Sequence, residues 1–316
     1  MHKILFVYVC ILFCFCSCKE KVIKDKELAD SIDFIDSAKI VTSQTPMLIT
    51  PDASNILPID FVSVKLNDEV HQGISVSGIN KILKDFTGTF QVIYPFEVKE
   101  NIDFSTLKCA LNIDTVCDVR INRKLALPIP SSCFINEQYH LYEIGKHAVY
   151  GRNEIVVSFQ NKKQMKEQLA FILGVFSVWP ATMGFQIFQP GILSTGSWEK
   201  QGMPFYSDAV TYSKIYTFGN DKSAGTLYLP EWHGASAMVF VNKELVGTVG
   251  KDERKLDISR FLLSGENKVD VKILGMRENT TGPFYLQDTL SQIPPSGYCY
   301  KFLPSGLYDD FSIGEP

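Results

Sequence analysis

No C-x-x-C pair, H-E-x-x-H, G-x-S-x-G, Walker loop or G-x-G-x-x-G occurs in the 316 residues. Their absence removes the signatures of zinc, metalloprotease, serine-hydrolase and nucleotide chemistry. Histidine is scarce, five residues scattered along the chain, and a lone histidine is ordinarily structural or solvated. Positive charge is not in excess either. The formal net charge is −4, and Lys and Arg form no stripe that could track a phosphate backbone, so no nucleic-acid partner is implied. The one basic knot, Lys162-Lys163-Gln164-Met165-Lys166, has the composition of a solvated linker. Long hydrophobic runs are missing too. The apolar run from Ile4 ends near Ser17, short of the ~20 residues that span a bilayer.

That run follows a short basic start and reads as an export signal, residues 1–17. It closes on Phe15-Cys16-Ser17-Cys18, and a small residue before a cysteine resembles a bacterial lipobox, with Phe15 where Leu is usual. The resemblance implies lipidation of Cys18 and an outer-membrane lipoprotein of the cell envelope. Each buried CH₂ of an acyl chain adds ~0.8 kcal/mol, so several chains anchor stably. An ordinary cleaved signal is the alternative. Residues 18–57 read as the lipidated N-terminus and a tether, charged and poor in aromatics. Within it, Asp30-Ser31-Ile32 and Asp36-Ser37-Ala38 resemble the short O-glycosylation sequon of Bacteroidetes.

What the chain has in abundance is the grammar of strands. Residues 237–273 read as strand, turn, strand, short helical turn, glycine, strand, and residues 119–159 repeat that order with a loop six residues longer. Val119-Arg120-Ile121-Asn122 matches Val239-Phe240-Val241-Asn242, Leu125 matches Leu245, and Tyr142-Glu143-Ile144 matches Leu256-Asp257-Ile258. In each copy a glycine suited to positive φ (Gly151, Gly265) stands two residues before an asparagine (Asn153, Asn267). Ile155, Val157 and Phe159 then alternate as Val269, Val271 and Ile273 do, the period of a strand with one buried face. Features held in register over this length make two copies of one β-module. Both copies depart from the usual Asn-Gly hairpin turn, with Asn122-Arg123 and Asn242-Lys243.

The first sandwich is expected at 58–165 and the second at 166–316. Apolar content of 45% and aromatic content of 12% suffice for both cores. The run at 171–188, FILGVFSVWPATMGFQIF, reads as strands with a turn at Pro180. Turn residues recur at the spacing of β-sandwiches. Four cysteines lie beyond Cys18: Cys109, Cys117, Cys133 and Cys299. Strand parity puts Cys109 and Cys117 toward the first core, as buried free thiols or, in an exported chain, as oxidised ones.

The order Val239-Phe240-Val241-Asn242, Leu256-Asp257-Ile258-Ser259, Gly265-Glu266-Asn267 and a last strand resembles the galactose-binding-like β-sandwich. In particular it is similar to the sugar-binding domain of family 2 glycoside hydrolases. Gly196-Ser197-Trp198, the run Gln201-Gly202-Met203-Pro204-Phe205-Tyr206-Ser207, Tyr212, Asn279-Thr280-Thr281-Gly282-Pro283 and Leu303-Pro304-Ser305-Gly306-Leu307 look like the C-terminal sandwich of large bacterial rhamnosidase-type hydrolases. The resemblance covers residues 171–307 well and 86–160 moderately. It implies an all-β fold class, two tandem jelly-roll (galactose-binding-like) β-sandwiches after the lipoprotein signal and tether. No cofactor is implied beyond the structural Ca²⁺ such sandwiches often hold, for which Asn220-Asp221 is the candidate. In those enzymes the catalytic carboxylates sit on a separate barrel of ~250 residues. Two sandwiches leave no room for one, so no enzyme is expected.

A pyranose presents an apolar C–H face and polar edges, so its binder offers an aromatic platform with amide, carboxylate or guanidinium groups nearby. Trp198 and Tyr206 in one loop-like run, Trp232 and His233 in another, and Arg277 and Asn279 after the last repeat strand are the candidate carbohydrate-binding residues. Phe205 and Tyr212 are the candidate core members beside them. The expected function is a non-catalytic, membrane-anchored carbohydrate-binding lipoprotein of a bacterial glycan-utilisation type. Its partners would be a polysaccharide or oligosaccharide, the membrane through the lipid, and a further protein. One alternative is a structural or interaction module serving a separate glycoside hydrolase or an outer-membrane complex; another is a hydrolase with its own carboxylate pair. An open aromatic-lined groove marks the binder, buried aromatics mark the spacer, and two carboxylates ~5–9 Å apart across a pocket mark the hydrolase. Replacing Cys18 by Ala is expected to move the protein from the membrane to the soluble fraction, and unchanged fractionation would defeat the lipobox.

Overall fold

The computed structural model describes residues 39–114, 117–166, 169–219, 225–282 and 297–315. The signal, Cys18 and both glycosylation-like triplets lie outside them. Alternation sets the strands: in Phe90–Val98 and Gly151–Phe159 every second side chain from the glycine or phenylalanine onward turns inward, so each strand supplies one face to a core. One core lies between a five-stranded sheet, ordered Pro128–Phe134, Asn136–Glu143, Lys108–Leu111, Ala170–Gly174, Asn55–Ile59, and an eight-stranded sheet centred on Phe90–Val98 and Gly151–Phe159. The other lies between Leu48–Pro51, Ala209–Phe218, Gly265–Leu274, Ser236–Val241, Glu244–Val249 and a four-stranded sheet, Lys39–Val41, Ser312–Glu315, Thr226–Tyr228, Lys255–Asp257. The architecture is all-β, two sandwiches. The expected short helical turn of the second copy is the 3₁₀ turn Ser259–Phe261.

The first sandwich is nested inside the second. Lys39–Val41 pairs with Ser312–Glu315, and Leu48–Pro51 pairs with Ala209–Phe218, so the chain begins the second sandwich, builds the first, and then returns. Two expected boundaries move accordingly. The stretch read as the end of a tether carries two strands of the second sandwich. Residues 166–188, assigned to the second sandwich, instead supply Ala170–Gly174, Ser177–Pro180 and Phe185–Phe188 to the sheets of the first. The reason is physical. Leu48–Pro51 is largely exposed and enters its sheet through backbone hydrogen bonds, which leave no side-chain period to read. Ala170–Gly174 is buried throughout, a continuous apolar run that could serve either core.

The duplication holds atom for atom around one asparagine in each copy. Asn153 and Asn267 are fully buried. Asn153 Oδ1 accepts from Val149 N (2.8 Å) and Asn122 Nδ2 (2.9 Å), while its Nδ2 donates to Val149 O and Gly151 O. Asn267 makes the same four bonds, to Leu263 N (2.7 Å), Asn242 Nδ2 (2.9 Å), Leu263 O and Gly265 O. Asn122 Oδ1 and Asn242 Oδ1 accept in turn from Glu154 N (3.1 Å) and Lys268 N (3.0 Å). Gly151 and Gly265 have φ of 86° and 93°, as expected. The hairpins keep positive φ at both central residues despite lacking Gly: 49° and 71° at Asn122-Arg123, 52° and 73° at Asn242-Lys243. That is the twist-matched two-residue turn, held by the asparagine network rather than by glycine.

An aromatic seam joins the sandwiches. Phe185 and Phe205 lie 4.7 Å apart edge to face, with Tyr300 and Phe302 around them. Asn55 Nδ2 donates to both Phe176 O and Gly202 O at 2.8 Å.

Two outcomes are expected. Asn267→Ala leaves the part-buried backbone groups of Leu263 and Gly265 without their side-chain partner and lowers stability by about 2 kcal/mol, read as a lower denaturant midpoint, whereas Lys243→Gly relieves a left-handed backbone and raises it by up to about 1 kcal/mol. Burial pushes Tyr139 and Tyr142 up to about 12. Their neutral forms therefore favour the fold, a contribution present below pH ~10, where the unfolded phenols titrate, and lost as pH rises toward 12. Alkaline unfolding followed by phenolate absorbance is expected to be cooperative in that window.

Candidate functional site

The candidate site follows from how one strand edge is shared. Phe90–Val98 pairs along its whole length with Gly151–Phe159 on one side. On the other side Phe61–Leu66 runs antiparallel to it only from Phe90 to Ile93. Phe185–Phe188 joins in parallel only at Val98, where Lys99 N donates to Ile187 O at 2.8 Å. In the gap sits Pro95, which has no N–H to give a ladder and is tolerated where an edge is open. The two flanking strands part there and leave a cleft of about 600 Å³.

Its polar walls carry Asp60, Gln72, Glu97, Arg152 and Gln186, with Met183 at the rim. Glu97 accepts from Gln186 Nε2 at 2.6 Å and lies 2.7 Å from Lys99 Nζ. Tyr300 OH donates to Asp60 Oδ2 at 2.5 Å, and Arg152 Nη2 lies 3.1 Å from Glu154 Oε1. Glu97 and Arg152 stand opposite one another on neighbouring strands, a hydrogen-bond acceptor beside a donor on the cleft wall.

The second copy closes the same place. Ile93 corresponds in register to Ser213 and Pro95 to Ile215. Leu48–Pro51 covers Val210 to Ser213, and Ser43, Gln44 and Thr45 continue along Ile215 and Tyr216, with Gln44 N donating to Ile215 O at 2.7 Å. Among the described residues one module is open at this edge and its twin is sealed.

The aromatic residues singled out from sequence lie elsewhere and are interior. Trp198 is 1% exposed, donates from Nε1 to Tyr212 OH at 2.8 Å and packs edge to face on Tyr206. Tyr206 is fully buried; it donates to Ala209 O, and burial drives its phenol well above the ordinary tyrosine range. Asn279 is buried and exchanges hydrogen bonds with Leu303 O and Leu303 N. Trp232 is 6% exposed, in a two-residue strand against Gly306–Leu307, with Lys251 Nζ 5.5 Å from its ring centroid. These four are corrected to structural residues: segments distant in sequence, above all Ser305 to Leu307, cover runs that looked like free loops. Phe205 and Tyr212 are core members, as expected. His233 is half-buried, 2.9 Å from Glu231 Oε1 and edge-on to Tyr308, and Arg277 is exposed at the start of the short helix Glu278–Thr281. The structure gathers Trp198, Tyr206 and Tyr212 into one cluster and brings none of the six into the cleft. Asn220-Asp221 and Pro283 lie outside the described residues, and among the described residues no three His, Cys, Asp or Glu side chains gather to hold a metal. Cys109 is buried, Cys117 half-buried, and Cys133 and Cys299 exposed; all four are free thiols.

The cleft residues were not singled out from sequence. The one available signal was Pro95 inside an otherwise regular alternating run, the mark of a strand edge left unpaired.

No protein-family model matches the chain, and no curated protein does. Solved structures similar to it include a rhamnosidase from Novosphingobium sp. PP1Y, at 11% identity and TM-score 0.30, covering 92% of this chain and 26% of that one. A β-glucuronidase from Ruminococcus gnavus matches at 10% identity and TM-score 0.28, over 74% of this chain and 41% of that one. A glycosyl hydrolase family 2 member from Bacteroides cellulosilyticus matches at 12% identity and TM-score 0.26, over 71% and 32%. The chain thus spans less than half the length of each of these structures. Scores of this size assign no function.

Trp198→Ala is expected to lower stability by about 3–5 kcal/mol through loss of a buried indole. The measurement is a fall in Tm; an unchanged Tm would place Trp198 outside the core.

Proposed function

We propose that the chain is a non-catalytic carbohydrate-binding protein of the bacterial cell envelope, anchored through a lipid on Cys18, that holds a glycan in the cleft of its first sandwich. The observation that supports this reading is the cleft itself: acceptors Asp60 and Glu97, amides Gln72 and Gln186, and the donor Arg152 converge on one open gap. Fixed acceptors and donors side by side suit sugar hydroxyls, which act as both.

Burial of Trp198, Tyr206 and Trp232 favours a second reading, a structural or interaction module that partners a separate hydrolase or an envelope complex. The two readings divide on one experiment. On affinity gels cast with xylan, galactan, pectin and mucin glycans, the full chain is expected to be retarded by at least one. Glu97→Gln and Arg152→Ala are each expected to weaken that retention about ten-fold, equivalent to about 1.4 kcal/mol, with Tm unchanged. No retardation on any gel moves the chain to the interaction reading. Release of reducing sugar by the wild type, abolished in Glu97→Gln, would make it a hydrolase that uses the carboxylates of the cleft.

A further inference from the structure

Three tryptophans occur in the chain. Two are the buried pair Trp198 and Trp232, and the third, Trp179, is 39% exposed. This indole is partly open to solvent, unlike the other two, and its position is set by register. In an antiparallel pair, residues directly opposite one another share a face of the sheet. Trp179 stands opposite Gln186, between the strands Ser177–Pro180 and Phe185–Phe188. Gln186 reaches Glu97 on the next strand by the 2.6 Å hydrogen bond, and Glu97 stands opposite Arg152 on the strand after that. Their neighbours along each strand, Val178, Ile187, Val98 and Asn153, are buried and face the core. Trp179, Gln186, Glu97 and Arg152 therefore form one row on the outer face of the sheet, across four adjacent strands, passing along the mouth of the cleft.

We infer that this row is an oligosaccharide-binding track in which Trp179 is the stacking platform. The inference rests on the glycan-binding reading and deepens it, naming how the ligand lies and which size class it takes. The indole offers the flat apolar surface that a pyranose C–H face requires, and the amide, carboxylate and guanidinium beyond it address hydroxyl groups in sequence. Three strand spacings of about 4.8 Å separate Trp179 from Arg152 by about 14 Å, the length of a short run of sugars rather than of one. The row crosses four strands of one sheet, so the ligand it fits is an extended glycan chain lying across the strands. The inferred platform lies on the first sandwich, whereas the sequence placed its aromatic candidates on the second.

The test uses the full chain, wild type beside Trp179→Ala, Trp179→Phe and Glu97→Gln, on the same four polysaccharide gels, followed by titration with the hexasaccharide and monosaccharide of whichever glycan retards the wild type. Hexasaccharide is expected to bind at least ten-fold more tightly than monosaccharide. Trp179→Ala is expected to lose at least ten-fold in hexasaccharide affinity with Tm unchanged, and Trp179→Phe to recover most of it. Hexasaccharide is also expected to shift the wild-type tryptophan emission but not that of Trp179→Phe, in which Trp198 and Trp232 still emit. Full affinity in Trp179→Ala beside weakened binding in Glu97→Gln would overturn the platform and leave the cleft reading standing. Equal affinity for monosaccharide and hexasaccharide would overturn the track. A wild type that no gel retards would overturn both the track and the reading beneath it.

Discussion

A buried asparagine side chain, once in each sandwich, is the constraint on which the rest of the structure depends. Asn153 and Asn267 each tie a hairpin turn, a preceding loop and the start of a long strand into one hydrogen-bonded knot around a fully buried carboxamide. In low dielectric such a knot is costly to leave incomplete, so it specifies one register where a sheet would otherwise slip by two residues. It also explains why Arg123 and Lys243 sit in backbone conformations that usually call for glycine. The turn is imposed from beneath by the asparagine carboxamides, and the strand pairs Asp118–Ile121 with Gly151–Phe159 and Ser236–Val241 with Gly265–Leu274 follow from it.

With that knot shared, the two modules differ in what runs along the far edge of one central strand. In the second module the chain's own early residues, Ser43 to Pro51, seal the edge. The first module cannot use them. It receives Phe61–Leu66 over one half and Phe185–Phe188 at the tip, and Pro95 withholds a donor in between. Nesting is what makes the difference possible: the strands available to each copy are dictated by where the chain enters and leaves. A duplicated framework thereby yields one sealed edge and one cleft bordered by an exposed indole.

The candidate aromatics show why chemistry was harder to read than fold. Trp198 and Trp232 are flanked by glycine, proline and charge, the composition of exposed loops, yet both are interior because residues 305–307 fold over them. Trp179 lies in an apolar run read only as strands, and it is partly open to solvent because strand parity sends Val178 inward. Local composition pointed to the wrong solvent exposure for Trp198 and Trp232 and assigned none to Trp179. Strand parity would have placed Trp179 correctly, had the strand been known to lie in a sheet with one wet face.

The residues by themselves determined the all-β class, the internal duplication, the glycines at positive φ and the inward parity of the repeat strands. All of these follow from interactions within a few residues or from a period along one strand. Only the tertiary structure decided the nesting of one sandwich in the other, the covering of Trp198 and Trp232, and the open edge beside Pro95. These depend on which distant backbones meet, and a backbone hydrogen bond is the same whichever side chains flank it.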